Sequence, residues 1–198
     1  MSTRATYSFL DNQYPDSAVN TTLYIHYDGY LEGAALYFYK TFINPSKGNL
    51  ATRFIRANEH AEITKNHTVH SDTDYRYYVS GNDLNASVLA YRMDRERKKE
   101  LLFTGSLKVF INQYSKYIQD FTPFCTVRVG YTDKVLNLEL ARKEMNNLMY
   151  HLKAWEVGLV GTANWNSCVG DIVRVVAAFP ELLTEEVERY INLGKVEK

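Results

Sequence analysis

Net charge is the first thing this chain lacks. Its 198 residues carry 23 basic and 23 acidic side chains, for a formal charge of zero. Proteins that hold nucleic acid by bulk electrostatics carry a basic excess, so a nucleic-acid partner is not favoured. Long apolar runs are missing as well. No window approaches the ~18 apolar residues of a membrane-spanning helix, so no membrane partner is expected. The opening residues, MSTRATYSFL, lack the apolar stretch of a secretory signal. Cysteine occurs only at Cys125 and Cys168, which read as free thiols in a reducing, cytoplasmic setting. In that setting the N-x-[ST] matches at Asn20, Asn66 and Asn85 carry no glycan. There are no repeats and no low-complexity runs. Regular alternation of strands and helices is missing too, which argues against a doubly wound parallel sheet.

Tyrosine is what the chain has in excess: 16 of its 27 aromatic residues. A tyrosine has an apolar body and a polar tip, which suits half-buried surfaces and contact faces. With 45% apolar residues, the length fits one α+β domain over 1–198, strand-rich over 1–132 and helical over 136–194.

TYSFL (6–10) and TTLYIHY (21–27) alternate as strands and are expected to pair antiparallel, with the loop NQYPDSAVN (12–20) between them. Leu23, Ile25 and Tyr27 would face one side, with Tyr24 and His26 on the other. Leu31, Ala34, Ala35, Phe38 and Phe42 then form an apolar stripe on a helix from about Tyr30 to Ile43. Asp28 is placed to cap that helix, Glu32 lies in its first turn, and Pro45 follows its end. Residues 50–63 are expected to form a short helix, with Leu50, Phe54 and Ala57 inward, and 66–74 a polar, solvated connection. Residues 75–81 and 86–94 read as strands, and 101–111 as a strand turning helical. CTVRVGYT (125–132) is the last strand expected. Leu138, Ala141, Met145, Leu148, Leu152 and Trp155 mark a long amphipathic helix, which the glycines of 158–167 break. Val169, Ile172, Val173, Val176 and Ala177 mark another helix. TEEVERYINLG (184–194) opens on a threonine cap and should stop at Gly194. A meandering, mainly antiparallel sheet with helices on one face and a helical C-terminal third accounts for this order.

Chemistry-bearing residues gather at three places. His26 and Asp28 lie two apart where a strand ends, followed by Tyr30 and Glu32. An imidazole beside a carboxylate suits general-base work, so His26, Asp28 and Glu32 are the catalytic candidates. Equally, an Asp-Gly pair is what a strand-to-helix turn uses to bend and cap. NEHAEITKNHTVHSDTD (58–74) holds Glu59, His60, Glu62, His67, His70, Asp72 and Asp74. It has no HExxH spacing and no cysteine partner, so it reads as a polar loop and no metal or cofactor is expected. Cys168 could be a nucleophile with His151 as its base, but a small residue in a helix stripe explains it as well. RMDRERKKE (92–100) sets Arg92, Arg95, Arg97, Lys98 and Lys99 against three acids, the pattern of a solvated turn.

The start MSTRATYSF, with YIHYDGYLEGAALYF after it, resembles small uncharacterised proteins of phages, prophages and other mobile elements. These share a strand, a second strand ending in His-x-Asp-Gly-Tyr, and a helix. Leu31 stands where many of them have proline. The resemblance covers about the first forty residues and implies a mobile-element accessory protein without an established activity. The expectation is a protein that binds another protein or macromolecule through a tyrosine-rich face, using Tyr24, His26, Asp28 and Tyr30, with Tyr27, Tyr37 and Tyr39 nearby. The alternative is a small hydrolase or nucleotide-processing enzyme built on His26 and Asp28.

Overall fold

The computed structural model describes residues 3–10, 20–44, 46–158 and 165–196. Pro45, nearly all of the loop expected at 12–20 and most of the glycine-rich break lie outside them. The chain forms two compact units, Met1–Phe121 and Thr122–Lys198. The fold is α+β, with a mainly antiparallel sheet and a helical C-terminal part.

Unit 1 is built on a six-stranded sheet. In chain order its strands are β1 (Ala5–Leu10), β2 (Asn20–Ile25), β3 (Glu62–Thr64), β4 (Tyr75–Ser80), β5 (Ser87–Met93) and β6 (Lys99–Ser106). In space the order is β3-β2-β1-β4-β5-β6. Every neighbouring pair is antiparallel except β1 with β4. The helices are α1 (Leu31–Ile43), α2 (Leu50–Ala57) and α3 (Leu107–Gln113).

Period-two alternation sends Tyr7, Phe9, Leu23, Ile25, Tyr77, Val79, Val88, Ala90 and Phe103 to the side that the helices cover. The centre of that core is aromatic. Tyr7 stacks on Tyr77 at 4.8 Å and meets Phe54 of α2 at 4.9 Å and Phe38 of α1 at 5.8 Å. Phe110 of α3 reaches Phe38 at 5.8 Å. Such edge and offset contacts add about 0.5–1.5 kcal/mol each beyond the area they bury.

Three local expectations are corrected. Residues 50–63 do not form one helix. Asn49 caps α2 through its side chain, α2 ends at Ala57, and 62–64 become β3. Asp28 does not cap α1. The cap position is Tyr30, with no side-chain bond, and Asp28 takes a left-handed φ of 52° just before it. The segment over 66–74 is not merely solvated. It covers part of the sheet's second face, where Thr6, Tyr24 and Tyr78 need partners. His67 and Thr73 are buried there, and His67 shares a 2.6 Å hydrogen bond with Thr6 and packs on Tyr78 at 4.5 Å.

Unit 2 holds a hairpin of β7 (Cys125–Val129) and β8 (Thr132–Leu136), then α4 (Leu138–Glu156), α5 (Trp165–Ala178) and α6 (Glu185–Val196). Its core runs from Val127 through Met145, Leu152, Trp165 and Ile172 to Tyr190. The helix expected at 138–155 is α4, capped by Asn137. Thr184 bonds the Val187 amide at the start of α6, as its position suggested. Gly194 does not stop α6, which runs on to Val196. Glycine stands there because a side chain would come within 2.9 Å of Val169.

Candidate functional site

The candidate site is the turn that joins β2 to α1 and the groove beside it. The chain must reverse tightly after Ile25, and close packing dictates the residues that let it. Gly29 donates its N–H to the Thr3 carbonyl at 2.8 Å, and a Cβ there would lie 2.6 Å from the Ala5 side chain. At Gly33, one turn into α1, a Cβ would meet the Asp28 carbonyl at 2.0 Å. Two phenols fasten the turn from below. Tyr77 donates to the Gly29 carbonyl at 2.8 Å, and Tyr37 donates to the Tyr27 carbonyl at 3.0 Å.

Asp28 sits among phenols. Its carboxylate hydrogen-bonds Tyr30 and, after burial, is the next cause raising the Tyr30 pKa. Burial first and Asp28 second push Tyr37 up to about 12. Burial holds Tyr7 well above the usual phenol range, with the charges of Tyr37 and Asp28 adding to it. Among the described residues the Tyr7 hydroxyl has no hydrogen-bond partner. Glu32, in the first turn of α1, raises Tyr77 and Tyr114 in the same sense, as a minor contribution after their burial. Burial first, with these carboxylates adding to it, keeps the surrounding tyrosines protonated.

His26 belongs to a different set. Its Nδ1 lies 2.9 Å from the Tyr24 hydroxyl. Tyr24 in turn stacks flat on His70 at 3.8 Å, and the Tyr27 ring stands edge-on to the His26 ring at 4.8 Å. Across from them, β3 pairs with β2 so that Glu62 lies opposite Tyr24. The result is an open groove of about 460 Å³ lined by Tyr24, His26, Tyr27, Glu59, His60 and Glu62. A second hollow of about 550 Å³ lies on the other side of Glu59 and His60 and reaches Tyr37 and Lys40.

The sequence candidates therefore divide. Tyr24 and His26 line the groove, together with Glu59, His60 and Glu62 of the second cluster. Asp28, Tyr30 and Glu32 lie at the turn and the start of α1, outside its lining. Of the five tyrosines expected to form a contact face, Tyr24 and Tyr39 are buried and Tyr30 and Tyr37 are half-buried; Tyr27 alone is open, at 55% exposure. The remaining second-cluster residues are structural. Burial, then Arg76 and Lys99, lowers the His67 pKa to about 4. Asp72 pairs with Arg4 at 2.5 Å, and Asp74 accepts the Arg4 amide. Among the described residues no group of His, Cys, Asp or Glu could hold a metal ion.

The other sequence candidates lie elsewhere. Cys168 is half-buried on α5, and burial followed by Asp171 pushes its thiol up to about 11. A thiol that high is inert at neutral pH. The basic run closes the β5–β6 hairpin, where Arg97 donates to the Thr73 carbonyl, Lys98 pairs with Glu96, and Lys99 bonds the Tyr78 hydroxyl. Arg92 and Arg95 point to solvent. No helix among the described residues is long and apolar enough to cross a membrane. No family model, curated protein or solved structure matches this chain.

Proposed function

We propose that the protein works by contact, binding another macromolecule at the groove where β2 ends, as an accessory protein of the mobile-element type that its N-terminal motif resembles. The observation that carries this reading is the groove's composition: one exposed aromatic ring, one ring held rigid by His26 and His70, and acids and imidazoles around them. Exposed aromatic anchors with rotamers fixed by packing are what contact surfaces use. Among the described residues, the groove lining includes no serine, threonine or cysteine that could serve as a nucleophile. The basic hairpin supports nucleic-acid binding poorly, since three of its five bases are already engaged within the protein.

Partner capture by wild type, Tyr27→Ala and Tyr131→Ala tests this. Tyr131 is the control, because it is exposed and does not line the groove. A partner retained by wild type and Tyr131→Ala but lost by Tyr27→Ala supports the reading. Identical capture by all three overturns it.

The enzymatic reading keeps one point in its favour, because His26 and His60 share the groove with two carboxylates. Its acid would then be Glu59 or Glu62, since Asp28 lies outside the lining. Unchanged turnover in His26→Ala, on any substrate that wild type hydrolyses, would dispose of it.

A further inference from the structure

We infer that this groove takes a cationic side chain, the ammonium or guanidinium of a lysine or arginine displayed by a protein partner. The inference rests on the reading of the groove as a binding surface and names the chemistry that fills it.

The argument begins with unspent negative charge. Glu59 and Glu62 both line the groove, and neither carboxylate makes an ion pair or hydrogen bond with another described residue. The Tyr24 hydroxyl is pushed up by burial first and Asp72 next, Arg4 opposes the rise, and the charge of Glu62 adds to it as a smaller contribution. Arg4, whose charge also reaches that hydroxyl, is paired with Asp72 at 2.5 Å and does not line the groove. Lys40 lines the neighbouring hollow, not this one.

The aromatic rings supply the second requirement. A cation is attracted to the face of a tyrosine ring, more strongly where the contact is desolvated. Tyr27 contacts His26 edge to face, which leaves ring surface open to the groove. Tyr24 cannot swing away, being bonded to His26 at its hydroxyl and stacked on His70. Rings that need no reordering lose little freedom on binding. Two carboxylates beside the open Tyr27 ring, with its neighbour His26 held by the buried Tyr24, make a receptor for positive charge. The groove is too open to enclose a free amine, so the cation must arrive on a chain that brings further contacts of its own.

Titration of the full chain, labelled with nitrogen-15, tests the inference at low salt. The probes are three eight-residue peptides with one apolar frame and Lys, Gln or Glu at two central positions. The expected result is that amides of Tyr24, His26, Tyr27, Glu62 and Ile63 shift with the Lys peptide. Binding should be at least fivefold weaker with Gln and absent with Glu. The double variant Glu59→Gln/Glu62→Gln should lose about tenfold for the Lys peptide while keeping the wild-type spectrum elsewhere. Equal binding of the Glu and Lys peptides, unchanged binding by the double variant, or no binding of any peptide would each overturn the cation assignment. Partner capture separates that failure from failure of the surface itself. A partner lost by Tyr27→Ala but retained by Glu59→Gln/Glu62→Gln leaves the binding surface standing and removes only the cation.

Discussion

His67 has its Nδ1 on Thr6 and its Nε2 buried without a partner among the described residues. Burial, with Arg76 and Lys99 nearby, lowers its pKa to about 4, from 6.5 for an ordinary histidine. Between those values the unfolded chain binds a proton that the folded chain refuses. Stability is therefore lost as pH falls from 6.5 towards 4, at no more than about 1.4 kcal/mol per pH unit. Urea unfolding across pH 7 to 4.5 should show a steeper loss in wild type than in His67→Asn; equal slopes would mean that His67 is not the group responsible. Carboxylates titrating in the same range act on both proteins and cancel in the comparison. Gly29 is constrained by space rather than charge. A Cβ there would come within 2.6 Å of Ala5 and 2.8 Å of its backbone nitrogen, so Gly29→Ala should cost about 1–3 kcal/mol by overpacking. A variant as stable as wild type in urea would show that the turn can shift to make room. The sequence made glycine expected at a sharp bend but gave no sign that β1 lies against it. That contact depends on the register of the β1–β2 pair, with Ala5 opposite Ile25, which residue types alone do not reveal.

Long, periodic elements were legible and short ones were not. The α1 and α4 stripes recur over several turns, so their signal exceeds the noise of single residues. β3 spans three residues, none of them buried, and carries no alternation to detect. β8, TDKVL, follows a two-residue turn in which Gly130 takes a left-handed φ of 60°, and its charges hide the pairing with β7. Gly194 misled for a different reason: glycine marks a helix end on local grounds, but here it clears room for Val169 on a neighbouring helix. Caps are the element's own fastening. The Asn137 side chain is buried and accepts the Leu140 amide at 3.0 Å where α4 begins. Asn137→Ala leaves that amide unsatisfied and should destabilise unit 2 by about 1–2 kcal/mol. Chemical denaturation followed by tryptophan fluorescence would read it, because Trp155 and Trp165 meet at 4.6 Å in that unit. A change under a few tenths of a kcal/mol would mean that water replaces the cap.

The groove exists only because two segments some thirty-five residues apart in sequence become neighbours, with Tyr24 set against Glu62 by the β2–β3 register. Each half was visible as a cluster, but their union was not, because nothing in a three-residue strand announces its partner. The same logic applies to the chain as a whole. Every pairing of the six-stranded sheet closes within residues 1–121. So do the ring contacts among Tyr7, Phe38, Phe54, Tyr77 and Phe110. Among the described residues, the second core draws on residues from 125 to 191. Contacts that close within a segment are the ones a fragment retains, so residues 1–121 expressed alone should fold. The fragment should give one cooperative urea transition and a near-ultraviolet circular dichroism signal from its buried tyrosines. It should also keep the acid sensitivity of His67, since Thr6, Arg76 and Lys99 all remain. The 122–198 fragment is shorter, buries a smaller share of its surface and should unfold at lower urea. A 1–121 fragment that melts without cooperativity and binds apolar dyes would show instead that its core needs the rest of the chain.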